Sequence, residues 1–253
     1  MFEIATDLAV LLVLAAVVAG FVDAIAGGGG LITVPALLLA GASPVEALAT
    51  NKLQGTFGSA TASLAYARAG HVRLRDQAGM AAISGLGGAG GALLAHLIPA
   101  EVLRLVMPAV LIGVAAFFAF RKGLSDADRV ERMRPGVFAF TAVPLIAAYD
   151  GLFGPGTGSF FMIAFVALAG FGVLKATAHT KLLNFASNLG SLLVFAFSGV
   201  MWWMTGLAMA LGQVLGAALG ARLAMRVGAR VIRPLLVATS TAMALRLIWQ
   251  ALG

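Results

Sequence analysis

Two aspartates and two lysines sit inside apolar stretches that should carry no charge. Asp23 is followed by Gly27, Gly28, Gly29 and Gly30, and Asp150 by Gly154, Pro155, Gly156, Thr157 and Gly158. After each break comes a short apolar stretch and then a lysine, Lys52 in TNKLQG and Lys181 in TKLLN. A glycine-rich break frees backbone N–H groups, and a short helix that starts there turns its positive end toward an anion. Within a bilayer such a break is tolerated where it is buried in protein or lines a cavity. The bland alternative is a turn at the membrane surface.

Lys52 lies eight residues past Pro44, about 12 Å along a helix and so near the middle of a core roughly 30 Å thick. Lys181, seven residues past Leu174, is placed alike. A lysine there costs several kcal/mol unless it meets a wet cavity or a counter-ion. The chain has four lysines in all, so two at matching positions point to a shared anion pocket. The alternative is a structural pair with Asp23 or Asp150, and the two roles can coexist. Asn184, Asn188 and Ser191 follow Lys181 on one helix face, as Gly55, Thr56 and Ser59 follow Asn51 and Lys52, with Gln54 adjacent. Such faces also hold helices together in lipid. His179 carries an imidazole that could move protons near neutral pH, although a lone histidine is more often a packed helix residue. The expected substrate-binding set is therefore Gly28, Gly29, Gly30, Asn51, Lys52, Gln54, Gly156, Thr157, Lys181, Asn184 and Asn188. Asp23, Asp150 and His179 are expected to couple protons or form ion pairs.

The elements that position these residues must be membrane helices. The 253 residues are 61% hydrophobic and 11% charged, with mean hydropathy +1.01, whereas a soluble domain carries about 25% charged residues. Too little polar side chain exists to cover a water-facing surface, so the solvent is lipid. Continuous apolar runs such as 8–26 and 102–120 select helices over barrel strands. The first run has Glu3 and Asp7 ahead of it where a signal peptide needs Lys or Arg, and is expected to be retained. With no cysteine, disulfide and thiolate chemistry are excluded. His71, His96 and His179 are scattered, so neither a metal site nor a cofactor is expected. The formal charge of +7 comes from arginine clusters between apolar runs, which fits loop anchoring better than nucleic-acid binding.

The chain also repeats itself. An offset of 129 residues puts Lys52 on Lys181, Gly70 on Gly199, Arg104 on Arg233, and the GxxxG pair Gly87/Gly91 on Gly216/Gly220. Upstream, an offset two residues shorter puts Asp23 on Asp150. Three basic loops, holding Arg68, Arg73 and Arg75, then 121–134, then Arg222, Arg226, Arg230 and Arg233, are cytoplasmic by the positive-inside rule. Their repeat mates are nearly uncharged, with Trp202 and Trp203 as interfacial anchors, so equivalent loops should lie on opposite sides. The fold class expected is all-α integral membrane, with two inverted-topology repeats of about five helical segments each. The segments are read at 5–26, 31–42, 44–68, 77–98 and 102–121, then at 136–153, 156–170, 173–198, 203–225 and 230–251. The second of each half is too short to span and should be a half-helix, re-entrant or lodged against its neighbours. The first repeat covers 1–122, a cytoplasmic linker 123–135 and the second repeat 136–253, with both termini outside.

The run GFVDAIAGGGGLITVPALLLAGASPVEALATNKLQGTFGS, together with DGLFGPGTGSFF and TKLLNFASN, resembles the sulfite exporter TauE/SafE family, which includes 4-toluene sulfonate uptake permease-like transporters. The resemblance covers nearly the whole chain. It implies a multi-pass transporter of the bacterial inner (plasma) membrane for sulfur-containing anions such as sulfite, sulfoacetate or thiosulfate. The site it implies comprises Asp23, the break from Gly27 to Gly30, Asn51, Lys52, Gln54, Asp150, Gly156, Thr157, Lys181 and Asn184. The glycine run lacks the GK[ST] ending of a phosphate loop, so an ion gradient, most simply of protons, is expected to drive transport. A passive anion channel is the alternative. An intramembrane enzyme would need a nucleophile or metal beside Asp23 and Asp150, and none is evident, so no enzymatic activity is expected. The partners expected are a small anionic substrate and the lipid bilayer, with no nucleic acid and with a homo-oligomer left open.

Overall fold

In a computed structural model of the chain, the described residues are 3–99, 130–228 and, between these, 101–103, 105, 106, 109, 110, 112, 113, 127 and 128. Among them the named elements are nine helices and no strand: α1 (Thr6–Ala26), α2 (Gly30–Leu39), α3 (Pro44–Arg68), α4 (Ala78–Leu97), α5 (Pro135–Phe140), α6 (Ala142–Leu152), α7 (Thr157–Ala167), α8 (Val173–Ala196) and α9 (Trp203–Val227). The segment expected at 230–251 lies outside the described residues, as does most of that at 102–121 and of the basic stretch 121–134 before residue 130. The division into 1–122, 123–135 and 136–253 thus ends in undescribed residues.

Local chemistry sets the helix ends. Ser43 and Glu46 form a reciprocal capping box that brackets Pro44, whose missing N–H costs nothing in a first turn. The chain leaves α1 through Gly27 in the left-handed region (φ 82°), its N–H bonded to the Asp23 carbonyl at 2.8 Å. The start of α9 is capped from a distance: Glu3 accepts the N–H groups of Met204 and Thr205 at 3.0 and 3.1 Å, a negative charge on a positive helix end. The segment expected as one helix over 136–153 is divided at Thr141. Pro144 has no N–H to close a turn onto Phe140, which accounts for the break. α2 and α7 have 10 and 11 residues, about 15–17 Å of helix, and are half-helices in length as expected.

Close approach of backbones holds the bundle together, at repeat-equivalent positions. On α4, Gly87 lies against Pro144 and Gly91 against Ala148 of α6; on α9, Gly216 lies against Val17 and Gly220 against Phe21 of α1. A Cβ at any of the four glycines would strike the neighbouring helix backbone. Serines add bonds where α4 meets α8: Ser84 Oγ donates to the Leu183 carbonyl and Ser191 Oγ to the Gly88 carbonyl. Thus α1 of the first half packs on α9 of the second, and α6 of the second half on α4 of the first.

The ends of the helices can be matched through their contacts. Trp202, just before α9, donates its N–H to Thr50 near the start of α3, and Arg68 and Arg222 line one groove at the far ends of the same two helices. Gln77, just before α4, donates to the His179 carbonyl near the start of α8, and His96 meets Phe195 where both helices end. The outside of the bundle is apolar, with Leu86 76% and Leu211 70% exposed, while Asn51, Lys52, Gln54, Lys181, Asn184 and Asn188 are buried. Polar side chains inside and leucine outside is the arrangement that lipid demands. α1, α4, α5–α6 and α9 are each long and apolar enough to cross a membrane, whereas α3 and α8 carry the buried polar residues.

Candidate functional site

The two glycine breaks meet. Ser159, in the first turn of α7, donates its N–H to the Gly27 carbonyl at 3.0 Å and its hydroxyl to the Ala26 carbonyl at 2.6 Å. Gly27 and Gly158 approach so closely that a Cβ on either would overlap the other's backbone. The half-helices α2 and α7, one from each half, therefore begin at one point. Gly156 precedes α7 with φ 83°, a conformation that favours glycine.

Around that point is a small cavity in which the centre of a water-sized sphere moves through about 30 Å³. Space for one water takes roughly 10–15 Å³ on this measure, so the cavity suits a couple of waters or one small anion. Its walls are Asp23, Gly27, Gly29 and Gly30 at the first break, and Asp150, Gly154, Gly156, Thr157 and Gly158 at the second. α3 contributes Asn51, Gln54 and Gly55, α8 contributes Asn184 and Asn188, and α9 contributes Gln213. Gly30 of one break and Gly156 and Gly158 of the other make no hydrogen bond through their N–H groups to any described residue. Unused donors at two helix starts form an anion-seeking lining.

The amide side chains are held in place by one another. Thr33 and Gln54 both donate to Asn51 Oδ1, at 2.6 and 2.8 Å, and Asn188 donates to the Asn184 carbonyl at 2.7 Å. Gln54 Oε1 is buried without a protein partner, an acceptor that a water or a protonated occupant of the cavity would satisfy, whereas a fully deprotonated anion would not.

The lysines stand behind this lining, not in it. Both are fully buried, and each pairs with the aspartate of the opposite half: Lys52 Nζ is 2.7 Å from Asp150 Oδ1, and Lys181 Nζ is 3.3 Å from Asp23 Oδ2. Lys181 also donates to the Asp23 carbonyl. Each carboxylate lines the cavity and holds a lysine that does not, so the two pairs cancel in net charge and the helix starts leave the interior positive.

Of the expected site, Asp23, Gly29, Gly30, Asn51, Gln54, Asp150, Gly156, Thr157, Asn184 and Asn188 come together on the cavity. Gly28 does not line it, and a Cβ there would meet only ordinary contacts, 3.6 Å from Leu31 and 3.9 Å from Val22. Its neighbours Gly27 and Gly29 have no such room. His179 is also elsewhere, among Phe165 and Phe171 with ring centroids 5.7 and 4.9 Å away. Gln213 was not foreseen. Its side chain crowds Gly20 of α1 and Gly58 of α3, whose missing Cβ atoms make room for it. The signal was available, because an amide in the middle of an apolar GxxxG helix is costly in lipid unless it serves a site.

Comparison with known proteins gives the same frame. The sulfite exporter TauE/SafE family description matches residues 12–247. The "Probable membrane transporter protein ORF9" of Sinorhizobium sp is 55% identical over 248 residues, covering 98% of this chain and 95% of that protein. The "Probable membrane transporter protein YfcA" of Escherichia coli (strain K12) is 44% identical over 238 residues, covering 94% and 88%. A "Probable membrane transporter protein" of Haemophilus influenzae is 42% identical over 247 residues, covering 98% and 97%. No solved structure matches the chain. With the family description spanning nearly its whole length and relatives of this identity, the chain belongs to the TauE/SafE family of membrane transporters.

Proposed function

We propose that this protein is a secondary active transporter of a small anion, and that the anion binds where α2 and α7 begin. The observation that carries the reading is that Gly30, Gly156 and Gly158, whose N–H groups bond to no described residue, all line one cavity that both halves share. A site shared between two halves is what alternating access requires, since each half can rock against the other around it. The inverted relation of the halves is part of the proposal. It is supported by the reciprocal glycine contacts and by the gathering of Arg68 and Arg222 at the ends of α3 and α9.

The family name points to sulfite, and the cavity volume favours an anion of that size over a bulky organosulfonate, with thiosulfate next. Asp23 and Asp150 are the proposed groups for proton coupling or ion pairing, because both face the cavity and both are tied to a lysine. A thermal-shift screen of the purified protein against sulfite, thiosulfate, sulfoacetate, sulfate and small carboxylates tests the assignment. Stabilisation by sulfite or thiosulfate above the carboxylates is expected. A response to none of the anions would remove the anion site.

A further inference from the structure

The two lysine–aspartate pairs occupy equivalent places in the repeat, yet they are not equivalent. Asp150 is 2% exposed, its Oδ1 is 2.7 Å from Lys52, and its Oδ2 accepts the Ser187 hydroxyl at 2.6 Å. Asp23 is 16% exposed, its Oδ2 is 3.3 Å from Lys181, and its Oδ1 receives only the Gly29 N–H at 3.3 Å. The difference is written in the sequence, because the offset that places Lys52 on Lys181 places Gly58 on Ser187. Asp23 thus lacks the hydroxyl that fixes Asp150, and Gln213 crowds the space above Gly58. The lining residues that are not buried, Asp23, Gly30 and Gly55, all come from the first half of the chain.

We infer that Lys181–Asp23 is the exchanging pair of the site and Lys52–Asp150 the fixed one. Lys181 is the cation that turns from Asp23 to the bound anion, while Lys52 and Asp150 stay joined across the halves and hold the second break in place. Every element packed around Asp23 agrees with this. α8 brings Lys181, α7 brings Ser159 and Thr157, whose hydroxyls are used on the Ala26 and Gly154 carbonyls, α3 brings Tyr66, whose hydroxyl is used on the Ala24 carbonyl, and α9 brings the neutral Gln213. The other charge at the cavity is Asp150, already paired with Lys52. The Asp23 carboxylate therefore has one strong partner to lose, whereas the Asp150 carboxylate has two.

This inference rests on the anion reading for the role of Lys181, but the ranking of the pairs can be tested without any ligand. The full chain is purified in detergent as wild type, Lys52→Gln, Lys181→Gln and Lys181→Arg, and as the doubles Lys52→Gln/Asp150→Asn and Lys181→Gln/Asp23→Asn. Melting temperature is measured first, and sulfite affinity by calorimetry second. Breaking the enclosed pair should cost more: Lys52→Gln should lower the melting temperature by about 10 °C and Lys181→Gln by less than half of that. The Lys52→Gln/Asp150→Asn double should recover part of the loss, because no unpaired carboxylate is left buried. Affinity should follow the opposite order, with Lys181→Gln weakening sulfite by about tenfold or more, Lys181→Arg retaining part of it, and Lys181→Gln/Asp23→Asn restoring none. A larger melting loss in Lys181→Gln than in Lys52→Gln overturns the ranking. Wild-type affinity in Lys181→Gln/Asp23→Asn overturns the ligand role alone. A wild-type protein that does not bind sulfite removes the sulfite reading and the ligand role together, while the melting order still decides which pair is fixed.

Discussion

Single residues at the breaks decide whether the site exists. Gly27 (φ 82°) and Gly156 (φ 83°) use backbone conformations that a side chain strains, and Gly27 also touches the backbone of Gly158. Gly27→Ala and Gly156→Val should therefore abolish anion binding in protein that still inserts into membranes, whereas Gly28→Ala should bind as wild type does. The thermal shift produced by sulfite measures all three, and loss of binding in Gly28→Ala would relocate the contact between the breaks. The types of these residues were legible in the sequence. Aspartate, lysine and a glycine run inside apolar stretches carry a desolvation cost that demands a reason. Their pairing was not legible, because Lys52 meets Asp150 and not Asp23, a choice made by how the halves interlock. Gly28 was read as part of the run because composition does not say which glycine of four faces the cavity. His179 could not be placed for the same reason: one turn of helix separates a cavity wall from an aromatic cluster.

At the scale of elements, backbone contact between helices is the adhesive. A Cβ at Gly91 would collide with the backbone of α6, whereas one at the adjacent Gly90 meets nothing within 4 Å. Gly91→Ala should lower the melting temperature, since overpacking costs about 1–3 kcal/mol, while Gly90→Ala should raise it slightly through helix propensity. Equal effects at the two positions would refute the packing account of the GxxxG motif. The loop before α5 is tied down as well. Asp128 accepts the Gly172 N–H at 2.6 Å and pairs with Lys175 at 2.9 Å, and these, the backbone bond first, hold its carboxyl below the usual value of 3.8. A depressed carboxylate stabilises the folded state above its unfolded value and loses that contribution as pH falls through the folded one. The melting difference between wild type and Asp128→Asn should thus be constant from neutral pH down to about 5 and shrink below pH 3.8. A difference that grows on acidification would contradict it. Element boundaries such as 44–68 were readable because Ser43, Pro44 and Glu46 announce a helix start. The division at Thr141 was missed because Pro144 lies within an apolar run that otherwise reads as one span.

For the whole molecule, the account requires two halves that face opposite sides of the membrane and share one site. Single cysteines in this cysteine-free chain report the sidedness. Asp76→Cys and Glu131→Cys should react with a membrane-impermeant maleimide only from the cytoplasmic face and Ser198→Cys only from the other, and labelling of all three from one face would end the inverted reading. The repeat offset is what suggests this architecture, because paired charges and GxxxG glycines recur at nearly constant distance. The interlocking of the halves was not legible, since sequence similarity relates segments without saying which of them touch. The central claim is carried anion movement through the cavity between α2 and α7. Its most direct test is the uptake of radiolabelled sulfite into proteoliposomes under an imposed proton gradient, with wild type beside Gly156→Val. The account predicts saturable uptake that exceeds equilibrium while the gradient lasts and disappears in Gly156→Val. Flux that rises linearly with sulfite and stops at equilibrium, or flux that Gly156→Val leaves intact, would contradict it.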